Sequence, residues 1–140
     1  MKKYSVATSL LAVLLTCTFT AQAHTLTVQI DQIKQQTGKI HVALYRSEQS
    51  YQQGKDAVAA VVEAVSGESQ QLVFPDLAEG QYAIKVMHDA NDNGELDRNM
   101  MGIPSEGYGF SNNGGQYGPA SFSDAAFAVT ADSNLTIHIR

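Results

Sequence analysis

Apolar and polar residues alternate along most of this chain, and a period of two leaves few folds open to it. Leu26, Val28 and Ile30 interleave with Thr25, Thr27 and Gln29; Ile40, Val42 and Leu44 with His41, Ala43 and Tyr45; Tyr82, Ile84 and Val86 with Ala83, Lys85 and Met87. Successive side chains of a strand point to opposite faces, so each run predicts a strand with one face in a core and the other toward solvent. Leu135, Ile137 and Ile139 repeat the pattern, and residues 71–74 and 125–129 are shorter candidates. Thr37-Gly38 and Glu79-Gly80 punctuate between strands. Residues 56–65 are ambiguous, because their alanines suit a helix and their valines a buried strand; a strand over 60–66, following a helical turn, is the expectation. Connections as short as Thr37-Gly38 cannot hold a crossover, so most pairings should be antiparallel. The predicted fold is all-β: a single antiparallel β-sandwich of about seven strands, each sheet covering the apolar face of the other.

The first residues set location. Lys2 and Lys3 precede an apolar run over residues 6–19, and Ala21-Gln22-Ala23 places small residues where a signal peptidase reads them. A cleaved signal peptide over 1–23 and one domain over 24–140 are therefore expected, with the product periplasmic or secreted. The apolar run is shorter than the ~20 residues that cross a bilayer, so no membrane insertion is expected after cleavage. Cys17 sits in a context similar to a lipoprotein acylation site, but Thr16 is bulkier than the small residue such sites carry. Cys17 is also the one cysteine in the chain, so the exported domain has no disulfide, and packing or a metal must stabilise it. The chain holds 14 acidic residues against 9 Lys and Arg, a net charge of −5, and loss of the leader removes two of the lysines. Such a surface repels phosphate backbones and anionic lipid and favours divalent cations, which excludes nucleic acid as a partner.

Residues 88–122 are of a different kind, a long loop holding seven of the 11 glycines. A structureless loop longer than ~15 residues in a compact domain is usually either functional or disordered. Met100, Met101, Ile103, Tyr108, Phe110 and Tyr117 are too apolar for a solvated linker, so the loop should fold back on the domain. It opens with Asp89, Asn91, Asn93 and Asp97 at relative positions 1, 3, 5 and 9, and Gly94 at 6. That spacing matches most of a calcium loop: alternate side chains point inward, glycine allows the turn, and the carbonyl of Glu95 supplies a further oxygen. Calcium is thus the expected cofactor. The bidentate glutamate usual at position 12 is missing, since Met100 stands there, so Glu106, Asp92 or water would have to complete the shell. The same residue types also gather in tight turns, where they cap the backbone and tolerate left-handed conformations.

No catalytic set is legible. The exported domain lacks a thiol, a Gly-x-Ser-x-Gly elbow and a zinc-binding histidine pair, and His88 beside Asp89 reads as a strand-end residue. The enzyme alternative is specific: cleavage after Ala23 would make His24 the N-terminus, where amine and imidazole together can chelate copper, with His41, His88 or His138 as second ligand, as in copper carriers or copper-dependent oxygenases. A purely structural envelope protein is a further alternative. The leading expectation is a non-catalytic module whose loop presents Tyr108, Phe110 and Tyr117 to a ligand or partner, an envelope protein or a glycan, because flat rings stack or anchor at low entropic cost.

Segments 77–84, with Leu77, Gly80 and Tyr82, 88–97, 102–113 and 119–127 together resemble the bacterial exported domain-of-unknown-function family 2141, and the run 106–113 carries the resemblance most specifically. The likeness implies export and a sandwich fold, and no activity. The Leu-x-x-Gly-x-Tyr turn is also similar to that of transthyretin-like and carboxypeptidase-regulatory-like sandwiches, which implies an accessory or binding role.

Overall fold

A computed structural model describes residues 22–140. The leader expected over 1–23, with Lys2, Lys3 and Cys17, lies up to residue 21 outside the described residues. The elements run β1 (Ala23–Asp31), β2 (Lys39–Tyr45), α1 (Glu48–Gln53), β3 (Ala59–Ala64), β4 (Gln70–Ala78), β5 (Gly80–Asp89), β6 (Tyr108–Phe110), a 3-10 turn (Ser111–Asn113), α2 (Phe122–Ala125), β7 (Phe127–Val129) and β8 (Ser133–His138).

They form two sheets. One has the order β4-β1-β8; the other has β3-β2-β5-β6, with β7 also pairing to β5. The alternation sends Leu26, Val28 and Ile30 of β1, with Leu72, Phe74 and Ile137, against Ile40, Val42, Leu44, Tyr82, Ile84 and Val86 of the other sheet, in one continuous core. A one-residue slip would turn a whole set outward, so burial holds the register. The sandwich is therefore as the alternation predicts, with eight strands.

Three local features differ from expectation. β8 runs parallel to β1, Leu26 opposite Ser133 and Asp31 opposite His138; a distant strand is free of the hairpin constraint that makes its neighbours antiparallel. The segment 125–129 splits, because Ser121 caps a short helix over 122–125 and the strand starts at Phe127. The helical turn comes earlier than expected: Ser47 accepts from Ser50 N to start α1, and Gly54, at φ 64°, ends it. Tyr82 Oη donates to the Ala78 carbonyl at 2.7 Å, which locks the Leu-x-x-Gly-x-Tyr turn between β4 and β5.

The outer face of the larger sheet is only half covered. Over one end, Tyr45, Tyr51, Ala83, Phe110, Ala120 and Ala125 form a second apolar cluster beneath α1 and α2. Tyr51 is its centre, with edge-on contacts to Tyr45 and Phe122 (centroids 5.6 and 5.7 Å) and its hydroxyl on the Ala120 carbonyl. The other end of that face stays open.

Candidate functional site

The uncovered half of the sheet is the floor of a groove of about 1030 Å³. Strand register lays out that floor in two rows across the sheet: Ala60, Ala43, Lys85 and Phe110, then Val62, His41, Met87 and Tyr108. All eight line the groove. These are the outward members of the alternating runs, and the alanines keep the floor low. One wall comes from Leu96, Arg98, Ile103 and Pro104, the other from Gln116, Tyr117 and Pro119. The first wall is a small hairpin: Arg98 bridges Pro104, Asn99 N donates to the Ile103 carbonyl, and Asn99 Oδ1 accepts from Met101 and Ile103. Ile103 and Val62 are about half exposed and Tyr117 is 98% exposed, so the rim is apolar and wet.

The structure brings Tyr108, Phe110 and Tyr117 into this one groove. Phe110 is buried and stands edge-on to Tyr108, 5.9 Å between centroids, while Tyr117 is free on the opposite wall. Lys85, Arg98 and the two alanines were not legible as site residues, and His41 was legible only as a candidate second copper ligand. The weak signal available was a lysine and a methionine at outward positions of a strand whose inward neighbours Tyr82, Ile84 and Val86 are apolar.

The acidic loop lies at the end of β5, beside the groove. Asp89 is fully buried; its Oδ1 accepts from Asn93 N at 3.0 Å and its Oδ2 from Gly94 N at 2.7 Å. Burial pushes the carboxyl pKa up, but the N–H groups of Gly94, Asn93 and Asp92, with the His41 ring, outweigh it and leave the group below its ordinary value. Asp97 receives the side-chain amides of Asn91 and Asn93 at 2.7 and 3.0 Å and Asn93 N also donates to Asn91 Oδ1, so Asn91, Asn93 and Asp97 close a ring of hydrogen bonds to which Asp89 is tied through Asn93 N. Glu95 is exposed at the edge, its N–H on Asn93 Oδ1. In this arrangement the amides offer nitrogens to Asp97; a cation there would need them reversed, oxygens inward. Among the described residues no three His, Cys, Asp or Glu side chains form a metal-binding group. Neither carboxylate expected to complete a shell is spare. Glu106 accepts from Ala90 N and Asp97 N, stapling the loop closed, and Asp92 pairs with Lys39 at 2.7 Å. Gly38 lets the adjacent turn approach: at φ 74°, an added Cβ would stand 1.9 Å from the Asp89 carbonyl oxygen.

Loop and groove share one contact. His41 Nε2 lies 3.5 Å from Asp89 Oδ2 and has no hydrogen-bond partner among the described residues. The remaining histidines scatter. His24 is buried with Nε2 3.5 Å from Glu79, and His138 pairs with Asp31 at the far end of β1, seven residues or about 23 Å along the strand. His88 is buried against the Thr37 carbonyl, on the core side of the other sheet.

The run 106–113 makes most of its contacts with the fold itself. Gly109 passes under β8, where a Cβ would stand 2.7 Å from Ile137. β5 is paired by β7 over 80–82 and by β6 over 85–87; at the junction, the buried Ser111 hydroxyl accepts from Ile84 N and donates to the Ala125 carbonyl. Asn112 donates to the carbonyls of Asp124 and Ala126, and Asn113 joins β8 through His138 N and the Thr136 carbonyl. A protein-family model matches residues 28–138, which takes in nearly all of both sheets and the loop between them. The chain belongs to DUF2141. That family is described as an uncharacterized protein conserved in bacteria. No curated protein matches this DUF2141 chain, and no solved structure does, so the likeness to transthyretin-like sandwiches rests on the Tyr82 turn alone.

Proposed function

We propose that the protein is an exported, non-catalytic binding module whose ligand lies in the groove on the outer face of the larger sheet. The observation that carries this reading is the groove itself: its volume is at the upper end of the ~300–1,000 Å³ usual for small-molecule sites, and its floor is apolar with few polar groups. Tyr108, Phe110 and Tyr117 supply the aromatic surface. The leader pattern supports export to the periplasm or medium. Calcium held by Asp89, Asn91, Asn93 and Asp97, with the Glu95 carbonyl, is part of the proposal: a cation would fasten the base of the hairpin that forms one wall, and the Asp89–His41 contact puts that base against the floor.

The test is to fill the floor. Ala60→Trp should abolish binding of an environment-sensitive apolar dye such as anilinonaphthalene sulfonate while the circular dichroism of the fold stays unchanged. In the wild-type protein, the dye should shift the amide resonances of Ala43, Lys85, Met87, Tyr108 and Tyr117. Resonance shifts confined to the outer face of the other sheet, around Val73, would refute the assignment.

A further inference from the structure

The cations lining the groove are Lys85 and Arg98, and among the described residues no Asp or Glu lines it. In a chain with 14 acidic residues against 9 Lys and Arg, a cleft of this size holding only basic groups is a local reversal of sign. Lys85 is the cation set into the floor. Its ammonium donates to the Tyr51 carbonyl at 2.5 Å and stands 4.3 Å from the Tyr51 ring centroid and 5.8 Å from that of Tyr45. Those rings cradle one side of it. Among the described residues it has no carboxylate partner; Lys39–Asp92 is the one ion pair there that a lysine or arginine makes. Burial pushes its pKa down, the direction expected of a cation short of an anion. An ammonium has three donors, and the Tyr51 carbonyl occupies one.

The rest of the floor decides the body of the ligand. Apart from the His41 ring and Tyr108, the rest of the floor is Ala43, Ala60, Val62, Met87 and Phe110, which offer apolar surface and no side-chain hydrogen-bond donor. A glycan lying there would leave hydroxyls unpaired, a loss of about 1–3 kcal/mol for each one desolvated, whereas an alkyl chain loses nothing. Arg98 lies in the wall with its guanidinium on the Gly102 carbonyl, so the floor itself holds one ammonium, which balances one negative charge and suits a carboxylate better than a dianionic phosphate.

We infer that the groove takes a free single-chain amphiphile with a carboxylate head, the head on Lys85 and the chain along the Ala43–Ala60 floor toward Ile103 and Tyr117. This rests on the groove being the binding site. The probes are dodecanoate, dodecanol and dodecyltrimethylammonium, each titrated calorimetrically into the purified protein below its micelle-forming concentration. Dodecanoate should bind roughly tenfold or more tighter than dodecanol, as a charge-assisted hydrogen bond in a half-buried site predicts, and the cationic probe should bind weakest. Lys85→Met should equalise acid and alcohol, an unchanged circular dichroism spectrum and melting transition showing that the variant is folded; Lys85→Arg should restore the preference. Equal affinity of the wild-type protein for acid and alcohol, or a preference that survives Lys85→Met, overturns the inference and leaves the groove reading standing. Failure of all three probes to bind removes the groove reading as well. Binding to phosphatidylglycerol vesicles without affinity for free dodecanoate would overturn it in favour of a membrane surface.

Discussion

Ser111→Ala removes one oxygen atom and should be among the most damaging small changes in this domain. The hydroxyl has no solvent exposure, accepts from Ile84 N at 2.9 Å and donates to the Ala125 carbonyl. Without it, a buried N–H and a buried C=O lose their partners together, at the place where β5 passes from pairing with β7 to pairing with β6. Each unpaired buried group costs about 1–3 kcal/mol, and a carbonyl relaxes more easily than an N–H, so the sum is roughly 2–4 kcal/mol. An exposed serine such as Ser69 should change stability by less than about 0.5 kcal/mol when replaced by alanine. Urea unfolding followed by circular dichroism separates the two: the Ser111→Ala midpoint should fall with an unchanged slope, and the melting temperature should drop by roughly 10 °C. A loss below about 1 kcal/mol, or one equal to that of Ser69→Ala, would refute the argument that the 106–113 run clamps β5, α2 and β8 together.

Calcium should raise stability if its site binds only the folded state: at a dissociation constant near ~0.1 mM, 1 mM calcium adds roughly 1.4 kcal/mol. Asp89→Ala should abolish that increment, and a melting temperature indifferent to calcium and chelator would reject the metal. Because the Asp89 pKa is depressed on folding, its stabilisation is present above the unfolded value near ~3.9 and lost as pH falls through the lower folded value; Asp89→Asn should flatten the acid limb of a stability–pH curve. Burial first, then the charge of Asp124 and the neighbouring Tyr45, push Tyr51 up to about 12, so the stability it contributes is lost as pH rises from ~10 through that value. Tyr51→Phe should remove the highest-titrating component of the tyrosinate absorbance, and an unchanged curve would contradict this placement. Intact mass of the exported protein should begin at His24; a product retaining Cys17 with an attached lipid would overturn the expected cleavage.

What was legible in the sequence is what a strand decides locally. Period-two patterning named the inward residues of β1, β2 and β5 and with them the sandwich, because each side chain's face depends only on its place along its own strand. Spacing likewise brought Asp89, Asn91, Asn93 and Asp97 to one point, since a loop of nine residues closes on itself through its own amides. The groove was beyond that reach. Its floor residues His41, Ala43, Lys85 and Met87 occupy outward positions that by pattern alone read as solvent-facing, the segment holding Ala60 was ambiguous, and nothing in their own strands says that two stretches of the loop over 88–122 will wall them in. That decision belongs to contacts far apart in the chain: Gly109 passing under Ile137, Ser111 reaching Ile84, and Asn113 reaching His138 bring the loop down along one edge of β5. α1 and α2 then cover one half of the sheet and leave the other open. Local alternation sets which way a side chain points, and only the packed topology sets what it points into.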